Sequence, residues 1–327
     1  MQTVGWGIIG CGDVTEKKSG PGFAKAKGSE LRAVMRRDAA KAKDYAARHK
    51  VPKWYSDAAE LLRDPDVNAV YIATPPAFHL KYTLMAAEAG KPVYVEKPMA
   101  INLKECEDMV ETCRQKGVPL YVAYYRRALP RFMKVKELID TGALGEVHSF
   151  QIVLHQPPKE EDKGPQVPWR VDPALAGGGY FIDLAPHTLD FMDYLFGPII
   201  DVQGYADNKA GLYSAEDNVA AVFRTKQHLL GTGIWSFSTD NEADEVRING
   251  TKGYLSFASF ADEPVRLRTD EREEDFIIEN PQHVQQPLIQ LVVDELLGRG
   301  TCPSTGQSAL RTTRITDELL KDYYGVD

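Results

Sequence analysis

The 327-residue sequence predicts two units. The first is an α/β Rossmann unit with a doubly wound parallel sheet, and the second an α+β unit with a large, mainly antiparallel open sheet. Three observations predict this. Residues 3–125 alternate strand-like and helix-like segments, the pattern of parallel βαβ units. Residues 199–279 run strand after strand with glycine turns between them. At roughly 100–200 residues per domain, the length allows two separate cores. The boundary is expected near 122–126, giving a first unit over 1–123 and a second over 124–327.

The elements follow in order. Residues 3–9 and 30–35 are β-rich, and 39–49 form a helix pattern rich in Ala and Lys. Asp57 and Glu60 have capping-box spacing before a short helix. Residues 68–74 are an apolar run ended by Pro75-Pro76, and the next helix stops at Gly90, a helix-ending glycine. Residues 92–95 form a short strand. Asn102 caps a helix ending near Gly117, and 119–125 form a further strand. A helix over 129–141 leads to a long strand at 146–155. A polar loop over 157–168 and a helix over 180–196 follow. Two helices, 284–298 and 305–324, finish the chain. Short apolar strands in the first part suit a sheet buried on both faces.

Composition excludes several classes. About 43% of residues are hydrophobic and 26% charged, an ordinary globular balance. The net charge of −8 argues against a nucleic-acid partner, which favours a basic face, and against a polybasic membrane anchor. No run approaches the roughly 18 apolar residues of a membrane span. The N-terminus enters a strand pattern without a signal-peptide layout, so a cytoplasmic location is expected. Cys11, Cys106, Cys113 and Cys302 form neither a C-x-x-C pair nor a zinc-spaced cluster with histidine. They are expected to be small buried residues of a reducing compartment, and no metal is expected.

Gly10-Cys11-Gly12 directly follows the first strand, where a tight turn brings backbone N–H groups against a pyrophosphate. Asp13 and Val14 continue that turn. Thr15 replaces the third glycine of the usual fingerprint, and Pro21 and Gly22 predict a late or broken first helix. Lys17 and Lys18 lie within reach of a phosphate. The second strand ends in Met35-Arg36-Arg37-Asp38. A guanidinium there suits a 2′-phosphate, so NADP(H) is favoured over NAD(H). The alternative leaves Arg36 and Arg37 as surface charges and gives the ribose to Asp38.

Thr74-Pro75 and Glu96-Lys97-Pro98 fall at the carboxyl ends of their strands, where ligands bind in doubly wound sheets. A lysine beside cofactor and substrate hydrogen-bonds a hydroxyl or carbonyl and eases proton transfer. Further along, Gly177-Gly178-Gly179 precedes Asp183, His187 and Asp190, whose spacings of four and three share one helix face. A histidine near a carboxylate is an acid/base suited to alcohol–ketone exchange. Pro186 offers a plainer reading. Proline fits best in a first helical turn, which would make Asp183 an N-cap and His187 an ordinary helix residue.

The ordered set of motifs resembles the Gfo/Idh/MocA oxidoreductases, the glucose–fructose oxidoreductase and inositol dehydrogenase family. It comprises Gly7-Ile8-Ile9-Gly10-Cys11-Gly12, Ala73-Thr74-Pro75 with His79, and Gly90-Lys91-Pro92-Val93 leading to Glu96-Lys97-Pro98. It continues with Gly142-Ala143-Leu144-Gly145-Glu146, Trp169-Arg170, Gly177-Gly178-Gly179 through Asp183 to His187, and Cys302-Pro303-Ser304-Thr305-Gly306. The resemblance implies hydride transfer between a nicotinamide and a carbon of a sugar, polyol or cyclic diol. It implies that Lys97 orients cofactor and substrate, that His187 is the general acid/base, and that Asp183 binds substrate and tunes the histidine. Thr74, Pro75, His79 and Glu96 fall at its cofactor positions. Tyr125, Arg127, Trp169 and Arg170 fall where the substrate pocket is lined. A homodimer or homotetramer through the second sheet is also implied. Two alternatives share the fold. One is a glycosidase that oxidises its sugar transiently with bound NAD. The other is a non-catalytic, cofactor-binding regulator.

Overall fold

The structure is a computed structural model that describes residues 2–325. The first elements are β1 (Val4–Ile9), α1 (Asp13–Lys17), α2 (Gly20–Lys25), β2 (Ser29–Met35), α3 (Ala39–His49), β3 (Lys53–Tyr55), α4 (Ala58–Arg63), β4 (Ala69–Ile72), α5 (His79–Glu88), β5 (Val93–Val95), α6 (Leu103–Lys116) and β6 (Leu120–Val122). Then come α7 (Pro130–Asp140), β7 (Val147–His155), α8 (Pro173–Ala176), α9 (Tyr180–Phe196), β8 (Ile199–Asp207), β9 (Asn218–Thr225), β10 (Leu230–Ser236), β11 (Ala243–Gly250), β12 (Gly253–Phe257), β13 (Val265–Thr269), β14 (Glu273–Phe276), α10 (Gln286–Leu296) and α11 (Gly306–Tyr324). No described helix is long and apolar enough to cross a membrane.

The chain divides into two compact units, 1–129 with 281–310, and 130–280 with 311–327. In the first, six strands pair in the order β3-β2-β1-β4-β5-β6, all parallel. Their side chains alternate between two cores, as a period of two requires. Ile9, Val70, Ile72, Val93 and Val95 enter one, and Trp6, Ile8, Tyr71, Tyr94 and Tyr121 the other. Asp38, Asp57 and Asn102 cap α3, α4 and α6 by accepting backbone N–H groups. The first helix is broken into α1 and α2 around Lys18-Ser19, as Pro21 and Gly22 predict. Strand β3 carries no apolar alternation strong enough to stand out in the sequence.

A single cut at residues 123/124 does not describe this unit, because the chain returns to it. Leu288, Ile289, Val292 and Val293 of α10 are fully buried against Trp6, Phe23 and Tyr94. Ser304 then pairs with β6, its hydroxyl donating to the Val122 carbonyl at 2.6 Å. A return of this kind leaves no mark on local periodicity.

In the second unit, eight strands pair in the order β14-β13-β12-β11-β7-β10-β9-β8. Only β7 and β10 run parallel. Val219, Ala221 and Phe223 of β9 face the core, while Val222 and Arg224 face outward. Aromatic side chains fasten helices to the inner face. Phe181 of α9 packs edge-on to Trp235 at 5.1 Å between ring centroids, and Phe132 of α7 meets Phe257 at 5.8 Å.

Candidate active site

In the first unit, strand order reverses beside β1, whose neighbours are β2 and β4. Such a switch point leaves a crevice at the carboxyl ends of the strands. Gly10-Cys11-Gly12 occupies the end of β1. Gly10 has φ +95°, and a Cβ there would sit 2.7 Å from Thr74 Cγ2, so only glycine allows the turn to lie this close to β4. At Gly12 the nearest atom to a Cβ is 3.9 Å away, which leaves that side of the turn open. Thr15, standing where the fingerprint has glycine, is buried. Its hydroxyl donates to the Gly12 carbonyl at 2.7 Å and accepts the Gly12 N–H at 3.0 Å, closing the turn that α1 continues. Asp13, Lys17 and Lys18 are exposed and Val14 is half-buried.

Beyond β2, Arg36 donates to the Cys11 carbonyl at 3.1 Å, which tethers its guanidinium to the glycine turn. Arg37 lies over the Phe78 ring, 5.2 Å from its centroid. Asp38 accepts the Lys41 N–H at 3.1 Å, which holds its carboxyl below the ordinary value. The carboxylate is thus engaged as the cap of α3. At the end of β4, the buried Thr74 hydroxyl has no hydrogen-bonding partner among the described residues. An open glycine turn, a tethered arginine and a donor with no protein acceptor fit a nicotinamide dinucleotide.

Pro75 opens a single 3₁₀ turn over Pro76–Phe78 that leads into α5. His79 is fully buried, with Nε2 2.7 Å from the Thr74 carbonyl and Nδ1 3.1 Å from that of Pro98. Burial pushes this imidazole below its ordinary value, and a neutral ring donates through one nitrogen at a time. His79 therefore sits between the two loops at the crevice and donates to a carbonyl of one of them at a time.

Glu96 lies buried at the end of β5 in a hydrogen-bond network. Tyr71 donates to its Oε1, Gln285 Nε2 donates to the same oxygen at 2.6 Å, and the Lys97 backbone N–H donates to Oε2 at 3.2 Å. Tyr94 in turn donates to Gln285 Oε1 at 3.3 Å. A buried carboxylate needs such donors, and here they fix the backbone from which the half-buried Lys97 side chain extends. Tyr125 and Arg127 lie in a 3₁₀ turn over Tyr125–Ala128. Arg127 is buried and donates to the Pro303 carbonyl at 2.9 Å.

In the second unit, α9 begins at Tyr180 with Gly179 as its N-cap. Asp183 is therefore inside the helix, and the reading that makes it an N-cap is overturned. Pro186 lies in the second turn, where its missing N–H leaves the Ile182 carbonyl without a helical donor. The helix starts earlier than Pro186 suggests because Glu216 caps it from outside. Both Glu216 carboxylate oxygens accept the Gly179 N–H, at 2.9 and 3.0 Å, and Tyr324 donates to Oε2 at 2.6 Å. Exposure falls along the helix: the Asp183 side chain is 23% exposed, whereas His187 is 3% and Asp190 0% exposed. His187 packs against the Phe260 ring at 6.0 Å. Arg170 spreads over the Trp169 ring at 4.7 Å and brings Nε to 3.7 Å from Asp183 Oδ2. Tyr180 donates to buried Asp162 at 2.7 Å, which pins the loop leading to Trp169.

Sequence reasoning missed Glu216, Tyr324, Tyr71 and Gln285. The glycine triplet held a signal for the first of these. A Cβ at Gly179 would stand 2.5 Å from the Glu216 carbonyl, and one at Gly178 3.1 Å from Glu216 Oε1.

Fold and site together define the class of dinucleotide-binding oxidoreductases. The comparisons with known proteins specify it. A family model described as an oxidoreductase family with NAD-binding Rossmann fold matches residues 4–124, and the GFO/IDH/MocA C-terminal domain matches residues 132–256. The chain belongs to the Gfo/Idh/MocA oxidoreductase family. It is 40% identical over 315 residues to oxidoreductase P35 of Formosa agariphila, covering 96% of this chain and 97% of the relative. It is 25% identical over 313 residues to 1,5-anhydro-D-fructose reductase of Ensifer adhaerens, covering 93% and 92%. Among solved structures, levoglucosan dehydrogenase in complex with NADH and levoglucosan shares the fold with a TM-score of 0.88 at 21% identity, covering 100% of this chain and 98% of that one.

Burial raises the Glu216 carboxyl from 4.5 to about 7. A folded-state value above the unfolded one gives stability that is present below 4.5 and lost as pH rises through about 7. The shift corresponds to about 3 kcal/mol. Urea unfolding of the second unit at pH 5 and pH 8 should show that loss in the wild type and not in Glu216→Gln. Equal pH slopes in both proteins would contradict the assignment.

Proposed function

We propose that the protein is an NADP(H)-dependent oxidoreductase that transfers a hydride between the nicotinamide and a CH–OH carbon of a sugar, polyol or cyclic diol. The observation that carries the reading is Lys97, fixed at the carboxyl end of β5 by the buried Glu96 network, in a chain whose α9 also supplies Asp183 and His187. A non-catalytic dinucleotide-binding protein needs none of these three. The names of the relatives point to sugars and anhydrosugars as the substrate class.

When bound, the nicotinamide supplies the hydride acceptor for oxidation, or the donor for reduction. Lys97 orients the reacting hydroxyl through its ammonium. His187 takes the hydroxyl proton during oxidation and returns it during reduction. Asp183 holds a neighbouring substrate hydroxyl. Arg170 and Trp169 offer a guanidinium and a flat apolar face to the substrate. Tyr125 and Arg127 line its approach, the latter chiefly by holding the backbone. Both Lys97→Met and His187→Ala should lower kcat by about 100-fold or more, the scale of lost acid–base catalysis, in a turnover screen of sugars, inositols and diols. Wild-type turnover in both variants would sink the assignment.

Arg36 favours NADP(H), since its guanidinium is tethered to the glycine turn at the end of β2 while Asp38 is engaged as the cap of α3. In a thermal-shift titration, Arg36→Ala should weaken NADP⁺ binding about 10–100-fold, the scale of a charge-assisted phosphate contact, and leave NAD⁺ binding unchanged. Tighter wild-type binding of NAD⁺ than of NADP⁺ would overturn the preference.

The outer face of the eight-stranded sheet carries Ile200, Tyr205, Val222, Leu230 and Ile234, with Tyr205 86% exposed. So apolar a sheet face is an interface between subunits, in a dimer or tetramer. Light scattering should give a multiple of 36.4 kDa for the wild type. The variant Val222→Lys/Ile234→Lys should give a smaller assembly. A monomeric wild type would refute the interface.

A further inference from the structure

We propose that Glu216 is a positioning residue for the reaction, holding the first turn of α9 so that Asp183 and His187 are presented in fixed register. The inference rests on the oxidoreductase reading of α9 and adds to it a residue that none of the motifs contains.

Geometry carries it. Glu216 is fully buried between β8 and β9 in sequence, with the helix start on one side and the end of α11 on the other. Its two oxygens share the Gly179 N–H, and Tyr324 supplies the second donor. A helix start exposes N–H groups with no internal acceptor, and a carboxylate placed there satisfies one of them and complements the positive end of the helix. Gly178 and Gly179 leave room for that approach, since a Cβ at either would collide with α9 or Glu216. From Gly179 the constraint runs along the helix backbone, four residues to Asp183 and four more to His187.

The constraint matters because α9 is weak where it must be exact. Pro186 removes the backbone hydrogen bond that would run from position 186 to the Ile182 carbonyl, within the stretch that carries Asp183 and His187. The first turn therefore depends on anchors outside the helix, and Glu216 grips it by the backbone. Tyr180, held by Asp162, grips it by a side chain. The segment carrying Glu216 is itself fixed. Asp217 accepts the Lys209 and Ala210 N–H groups at 2.8 Å each, and Tyr323 donates to the Ser214 carbonyl at 2.9 Å. Burial of the Glu216 carboxyl, with Asp217 nearby, raises its proton affinity, consistent with a group held for its contacts rather than its solvation.

The test compares Glu216→Ala, Glu216→Gln and Tyr324→Phe by steady-state kinetics and by the His187 ring resonance in proton NMR. Glu216→Ala should lower kcat about tenfold, a modest misplacement of a reacting group, with the dinucleotide Kd unchanged, and should shift the His187 resonance and its titration midpoint. Glu216→Gln keeps an acceptor for Gly179 and should restore both most of the way. Tyr324→Phe should move both in the direction of the alanine variant, by less, and carries the test should Glu216→Ala not fold. An unmoved His187 resonance in the folded variants overturns the proposal, as does unchanged kcat in Glu216→Ala. Absence of wild-type turnover on every sugar, polyol and diol would count against the oxidoreductase reading, and the His187 resonance would still decide the positioning role.

Discussion

A buried carboxylate must be given hydrogen-bond donors, and in each unit of this protein a buried glutamate receives a backbone N–H at a functional segment. Glu96 takes the Lys97 N–H, and Glu216 takes the Gly179 N–H at the start of α9. An unsatisfied charge in either place would cost several kcal/mol, so the donors are drawn into fixed geometry. Main chain is held first, and the candidate reacting side chains inherit their placement from it. The other contacts of the two glutamates come from distant segments. Tyr71 and Gln285 reach Glu96 from β4 and from the returning chain at α10, and Tyr324 reaches Glu216 from the last turn of α11.

That arrangement explains why the chain returns to its first unit after residue 280. Without α10, Trp6, Phe23 and Tyr94 would lose their cover, and Glu96 would lose Gln285. The crevice at the ends of β1, β4 and β5 is framed in the same economical way. Gly10 lets β1 and Thr74 approach, His79 sits between the Thr74 loop and the Pro98 loop, and Arg36 reaches back to Cys11. Each contact is small, but together they hold the ends of the three strands in place.

Much of the fold was legible in the sequence, because it is written in local patterns. The apolar strands, the caps at Asp38, Asp57 and Asn102, and the glycine stops at Gly90 and Gly117 are read within a few residues. The candidate residues Lys97, Asp183 and His187 stood out through motif order. What stayed hidden depends on contacts far apart in the chain. Nothing near Glu216 says that it caps a helix 37 residues away in sequence, and nothing near Gln285 points to Glu96. Pro186 misled for a related reason. Its local preference is for a first turn, and an external cap outweighs it. The burial of His79 against the Thr74 and Pro98 carbonyl groups is likewise a tertiary fact.

In the proposed reaction a hydride passes between a carbohydrate carbon and the nicotinamide. The most direct measurement uses a substrate from the turnover screen carrying deuterium at its reacting CH–OH carbon, with the reduced cofactor recovered and analysed by mass and NMR. Direct hydride transfer should place deuterium on C4 of the nicotinamide, on one face. Deuterium released to water, with none on the cofactor, would contradict it.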